Sequence, residues 1–256
     1  MAENAERFCA AVADYLSEEL HIAVEYVRDG VWQERERLFD AGAIQILWVC
    51  GLPYVEKADR SGPDIEILAV PAPVGERYRS RPVYFSDIVV RSESPYGSLF
   101  DLRGARWVYN ETRSHSGYNV VRAYLAEFAQ HWQFFSEAVE SGAHTASLEM
   151  VLGGAVDGAA IDSTVLEWYF AQDNERAARL RVIDTLGPSP MPPWVVSARV
   201  AEPLRAALRA TLLGMGRSAR GRAVLQAGCR ERFVEVLDGD YDPIRRMARA
   251  AERVRL

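Results

Sequence analysis

The sequence predicts an α/β protein with largely parallel sheets. Three observations carry this expectation. Short apolar runs of strand character alternate with amphipathic helical patterns, Gly and Pro clusters punctuate them, and no apolar stretch reaches the ~18 residues of a membrane span. Composition agrees: 49% of the 256 residues are hydrophobic and 26% charged, which excludes wholesale disorder. The formal net charge is −6, and a chain without a basic excess is not expected to bind nucleic acid. Lys57 stands alone among 30 basic residues, a bias toward arginine that fits GC-rich coding and not a binding surface. Cys9, Cys50 and Cys229 are far apart, with no CxxC or Cys/His cluster, so no disulfide framework, metal site or cofactor is expected.

Taken in order, the first element is a helix, with Phe8, Val12, Tyr15, Leu16 and Leu20 at helical spacing and Glu6, Asp14, Glu18 and Glu19 on the rest. Ile22, Val24 and Tyr26 then alternate as in a strand that ends at Asp29-Gly30. A second helix is expected over 31–41, closed by Gly42. The run AIQILWVCGL at 43–52 is almost continuously apolar, as a strand buried on both faces is. Further strands are expected at 65–70, 83–90, 106–109, 133–138, 158–161, 180–186 and 194–197. Helical patterns fall at 118–128, 145–152, 163–170 and 202–215. The Pro-rich stretch 187–193 reads either as a rigid surface loop or as a crossover between lobes.

Three windows carry candidate chemistry. In the first, Ser114-His115-Ser116-Gly117 follows a strand and opens a helix, where free N–H groups and the positive end of the helix dipole suit an anion. The simpler alternative is that Ser114 or Ser116 is only an N-cap. Adjacent Ser and His side chains diverge, and no GxSxG elbow is present, so serine-hydrolase chemistry is not expected. In the second window, His144 sits between a strand and a helix, placed either to donate to an oxyanion or to cap. In the third, Asp162 ends a strand, where open α/β sheets hold ligands, though an N-cap role fits equally. Tyr54 and Tyr84 border apolar strands and suit the wall of a pocket.

From Ile44 onward the chain resembles the substrate-binding components of phosphate, phosphonate and phosphite ABC transporters. The matching segments are ILWVCGLPYV, PVYFSDIVVRSESP, SLFDLRGARWVYN leading into RSHSG, ESGAHTASLEMVLGGAVDGAAIDS, LRVIDTLGPSPMPP and FVEVLDGDYDPIRRM, in family order. The resemblance implies a type II periplasmic-binding fold: two α/β lobes with a ligand cleft between them, the first lobe from 1–83 plus 190–256 and the second from 84–189. It implies that Tyr54 and Tyr84 flank the ligand, that Ser114, His115 and Ser116 form the anion-binding helix start, and that His144 donates from the second lobe. Asp162 or Glu167 matches an acidic lining position, without a choice between them, and the second crossover spans 185–193.

Function follows from the same resemblance: capture of a phosphate-like oxyanion by hinge closure and delivery to an ABC permease, without catalysis, by a monomer. Two other readings stay open, a cytoplasmic enzyme on the same two-lobed fold and a ligand-sensing module. The sequence also departs from the family. His115 replaces a common threonine, and Pro192-Pro193 stands where amine-binding relatives carry an acid. A signal peptide and a first strand, which the family places ahead of the first helix, are expected to be missing, so the compartment is left between periplasmic or extracellular and cytoplasmic.

Overall fold

The computed structural model describes residues 3–28, 30–61, 64–128 and 133–256; Asp29, expected to end a strand, lies outside them. The chain divides into two compact units: Glu3–Val83 with Pro190–Tyr241, and Tyr84–Ser189 with Asp242–Leu256. Residues 242–256, expected in the first lobe, thus pack with the second unit, where the Arg122 guanidinium donates to the Val254 carbonyl at 2.7 Å.

In the first unit, α1 (Glu3–Leu20) and α2 (Trp32–Asp40) precede β1 (Ile46–Trp48), α3 (Gly51–Ser61) and β2 (Ile65–Pro73). The sheet is completed by β8 (Trp194–Ser197) and β9 (Arg230–Val234) in the order β1-β8-β2-β9. Every described pair in it is antiparallel, which corrects the expectation of largely parallel sheets. The apolar stripe of α1 (Phe8, Val12, Leu16) meets Leu208 and Leu212 of α8 (Glu202–Gly214), Leu225 of α9 (Ala219–Ala227), and Leu68 and Val196 from the sheet.

Two further expectations fail in this unit. Residues 22–26 form no strand, because the Ser17 hydroxyl accepts from the Val24 N–H at 2.8 Å and donates to its carbonyl, occupying both groups a ladder needs. The apolar run 43–52 yields only three residues of strand before α3 begins at Gly51, with Pro53 in the first turn where its missing N–H costs nothing.

The second unit is a five-stranded mixed sheet, β5-β4-β6-β3-β7, from β3 (Val83–Arg91), β4 (Arg106–Tyr109), β5 (Glu137–Glu140), β6 (Gly158–Asp162) and β7 (Leu180–Pro190). Between the strands lie α4 (Val120–Glu127), α5 (His144–Leu152), α6 (Ser163–Gln172) and the short α7 (Asn174–Ala178). Side chains alternate between two cores: Ile88, Val90, Trp107 and Ala160 face Val121 and Leu125 of α4. Val89, Val108, Ala159 and Ile161 face Leu148 and Val151 of α5 and Leu166 of α6. Burial on both faces is why these strands read as unbroken apolar runs.

β5 starts later than the expected 133–138, because Phe134 and Ser136 spend backbone groups on Gly104 and Ala105 before the ladder begins. Phe135 stacks on Trp107 with centroids 4.5 Å apart. The Pro-rich stretch is not a surface loop, since β7 continues through Pro190 and Ser189 and Met191 are buried. α10 (Asp242–Ala251) closes the chain; α3, α7, α9, β9 and α10 were not foreseen from periodicity.

Candidate functional site

β4 runs parallel to both β5 and β6, so the C-terminal ends of these three strands share one edge of the second unit's sheet. β3 pairs antiparallel with β6 and therefore starts at the same edge. Three helical segments begin there: the turn His115–Asn119 that leads into α4, then α5, then α6. Open α/β sheets hold ligands at this edge, where helix N-termini converge.

The turn at His115–Asn119 is wound as a π-helix. Its first backbone bond runs from the Asn119 N–H to the Ser114 carbonyl, 3.0 Å, five residues back. The N–H groups of residues 115–118 therefore have no acceptor in the turn's own backbone, a wider opening than an α-helix start leaves. Ser114 Oγ takes one of them, accepting from the Gly117 N–H at 3.1 Å. The N-cap alternative is thus realised for Ser114, while the amides of His115 and Ser116 are not covered by that cap.

Ser116 Oγ lies 2.9 Å from His144 Nε2, joining the first residue of α5 to the turn. His144 Nδ1 is buried without a protein partner. One donor of this pair is left over in either tautomer: the Nδ1–H when Ser116 donates to Nε2, or the Ser116 O–H when Nε2–H donates to Ser116. Burial pushes the His144 imidazole down to about 4, so the ring is neutral at pH 7. Asn110 completes the wall; its Oδ1 is buried without a partner. A Cβ on Gly117 would lie 1.9 Å from that oxygen and 3.2 Å from His144 Cε1, so only glycine lets the three approach.

His115 behaves differently from its neighbours. It is fully buried, and both ring nitrogens are engaged: Asn119 Nδ2 lies 3.1 Å from Nδ1, and Ser189 Oγ lies 3.0 Å from Nε2. Burial lowers its pKa to about 3, so the ring is neutral at ordinary pH. Tyr84, 1% exposed, packs its ring against His115 in a T-shaped arrangement with centroids 6.5 Å apart.

The remaining candidates sit on other elements of the fold. Asp162 caps α6, its Oδ1 accepting from the Thr164 N–H and hydroxyl, both at 2.8 Å. Glu167 is an exposed residue of α6. Tyr54 belongs to the first unit, on the first turn of α3; its hydroxyl donates to Asp238 at 2.7 Å and its ring packs on Tyr241, 4.7 Å between centroids. Sequence reading missed Asn110, Asn119 and Ser189. Asn119 was within reach, four residues beyond His115 on one helical face; Ser189 carried no local signal beyond the prolines around it.

Among the described residues, no group of three or more His, Cys, Asp or Glu could hold a metal ion, and no helix is long and apolar enough to cross a membrane. A family model described as ABC transporter, phosphonate, periplasmic substrate-binding protein matches residues 2–241. No curated protein matches the chain. Among solved structures, a binding-protein component of an ABC phosphonate transporter from Pseudomonas aeruginosa is 19% identical at TM-score 0.85, covering 98% of this chain and 83% of that one. A Prochlorococcus marinus protein in complex with methylphosphonate is 18% identical, also at TM-score 0.85, covering 98% and 94%. The aliphatic sulphonate binding protein of Escherichia coli is 14% identical at TM-score 0.64, covering 95% and 88%. The α/β fold is thus that of type II periplasmic binding proteins.

Proposed function

Because the chain belongs to the family of phosphonate-binding, periplasmic substrate-binding components of ABC transporters, we propose that it captures a phosphate-like oxyanion on the 114–119 turn. Phosphonate, phosphite and phosphate are the ligand class, and an ABC permease is the recipient. The observation that carries this reading is the pairing of Ser116 with His144 beside uncovered N–H groups at a helix start. A relative that holds methylphosphonate supports the same ligand chemistry.

In this reading the anion is held by fixed dipoles and not by a counter-charge, since His144 is neutral at pH 7. The amides of His115 and Ser116, the leftover donor of the Ser116–His144 pair and the Ser114 hydroxyl meet the tetrahedral oxygens. Tyr54 and Tyr84 flank the organic substituent. A ligand held on this turn that gains contacts with the other lobe only on closure favours the closed form by the free energy of those contacts. Moving from 1:99 to 99:1 closed takes about 5.5 kcal/mol. Two to four hydrogen bonds to a charged group, at roughly 1.5–3 kcal/mol each, supply it.

Calorimetric titration with methylphosphonate, phosphite, phosphate and sulfate tests the proposal. Saturable one-to-one binding of at least one phosphorus oxyanion, without consumption of the ligand, is the expected result. A folded protein that gives no heat with any of them defeats the reading.

A further inference from the structure

His115 occupies the centre of the anion turn in sequence, yet its side chain points away from the turn's open N–H groups. Asn119 Nδ2 can only donate, so Nδ1 of the ring accepts, the proton sits on Nε2, and Nε2–H donates to Ser189 Oγ. Ser189 is the last residue of the second unit before the chain passes into the first at Pro190. Tyr84, whose ring lies T-shaped to the imidazole, is the first residue of that unit after Val83. β3 and β7 are neighbours in the sheet, and a Cβ on Gly187 of β7 would lie 3.4 Å from the Tyr84 carbonyl, so the two passages run side by side. One fully buried ring therefore spans from the backbone of the anion turn to both points where the chain crosses between units.

We infer that His115 is a positioning residue that locks the 114–119 turn to the connecting ends of β3 and β7, so that filling the turn is felt at the connections. The inference rests on the oxyanion reading of that turn. Its physical basis is that a buried hydrogen-bond chain with every member satisfied has one arrangement, and a displacement at its anion end must be passed on or break a bond. A threonine hydroxyl at this position is too short to reach Asn119 and Ser189 at once. The neutral ring, held there by burial, keeps one fixed donor and one fixed acceptor across the ordinary pH range.

The test compares the wild type with Ser189→Ala, His115→Ala and His115→Gln. Methylphosphonate, phosphite and phosphate affinities are measured by calorimetry, and compaction on adding the tightest of these by small-angle scattering. Ser189→Ala and His115→Ala are expected to lose about tenfold in affinity and most of the ligand-induced compaction. His115→Gln, which keeps a donor toward Ser189, is expected to stay within about threefold of wild type and to compact. A role confined to stability would instead lower the melting temperature while binding and compaction, measured well below it, stayed at wild-type values; that result overturns the inference. Should His115→Ala fail to fold, Ser189→Ala decides alone. A wild type that binds none of the three oxyanions removes the functional reading and this inference together, whereas a binding wild type matched by Ser189→Ala removes only the inference.

Discussion

Two helix starts on one sheet edge answer the same problem in opposite ways. α6 begins behind Asp162, whose carboxylate accepts from the Thr164 N–H and hydroxyl and brings a full negative charge to the positive end of the dipole. The turn ahead of α4 begins behind Ser114, a neutral hydroxyl that covers only the Gly117 N–H. α5, starting beside it at His144, has no side-chain cap at all, since Ala143 occupies that position. The strands, their direction and the edge are shared; what differs is the cap. An anionic cap closes a helix start to a second anion, while a neutral or absent one leaves the field unspent.

Exchanging the caps is the strongest way to break this comparison. Ser114→Asp places a like charge within a few ångströms of the bound oxyanion, and affinity is expected to fall ~100-fold or more. Calorimetry on the folded variant checks it, and undiminished affinity would show that the anion does not sit on this turn. Gly117→Ala comes next. Its Cβ collides with Asn110 and crowds His144, an overpacking of roughly 1–3 kcal/mol, so affinity is expected to drop about tenfold to hundredfold. Retained affinity in that variant would mean that the approach of Asn110, Gly117 and His144 has nothing to do with binding.

His144→Ala removes one donor of the Ser116 pair, a loss of about tenfold, with Ser116 still able to donate. A change below twofold would separate α5 from the site. Asp162→Asn is the control on the other helix start: the cap survives as a neutral amide, and oxyanion affinity is expected to move less than about threefold. A large change there would bring Asp162 into the ligand shell and blur the contrast between the two starts.

A separate expected effect concerns stability and pH. Burial holds His115 near 3 and His144 near 4, against an ordinary value of 6.5. Between those values the unfolded chain binds protons that the folded chain refuses, so stability falls as pH drops below 6.5 and is flat in these groups above it. For fully buried His115 the slope is about 1.4 kcal/mol per pH unit in that window. Denaturation midpoints at pH 5.5 and 7.5 are expected to lie closer together in His115→Gln than in wild type; an equal spacing contradicts the burial argument.

The second unit was far more legible in the sequence than the first. Its strands β3, β4 and β6 are covered on both faces, so apolar runs stand out, and α5 and α6 begin within a few residues of a strand end. In the first unit the run through Cys50 hid the start of α3, because a buried strand and a buried helix start look alike over a short apolar stretch. The segment 22–26 alternates as a strand does, yet Ser17, seven residues before Val24, takes its backbone groups, a contact no periodicity reveals. The site shows the same limit. Ser114, Ser116 and His144 were visible as helix-start residues, but which amide Ser114 covers, and that His115 turns inward to Ser189, 74 residues away, are products of tertiary packing.

The grip of the 114–119 turn on an oxyanion is tested most directly by amide chemical shifts of the isotopically labelled protein during titration with methylphosphonate, or with phosphite or phosphate where that binds tighter. The largest downfield N–H shifts are expected at His115 and Ser116, with His144 following and Thr164 of the Asp162-capped helix scarcely moving. Saturable binding with those turn amides unmoved, or with the shifts gathered at Thr164, would contradict the account.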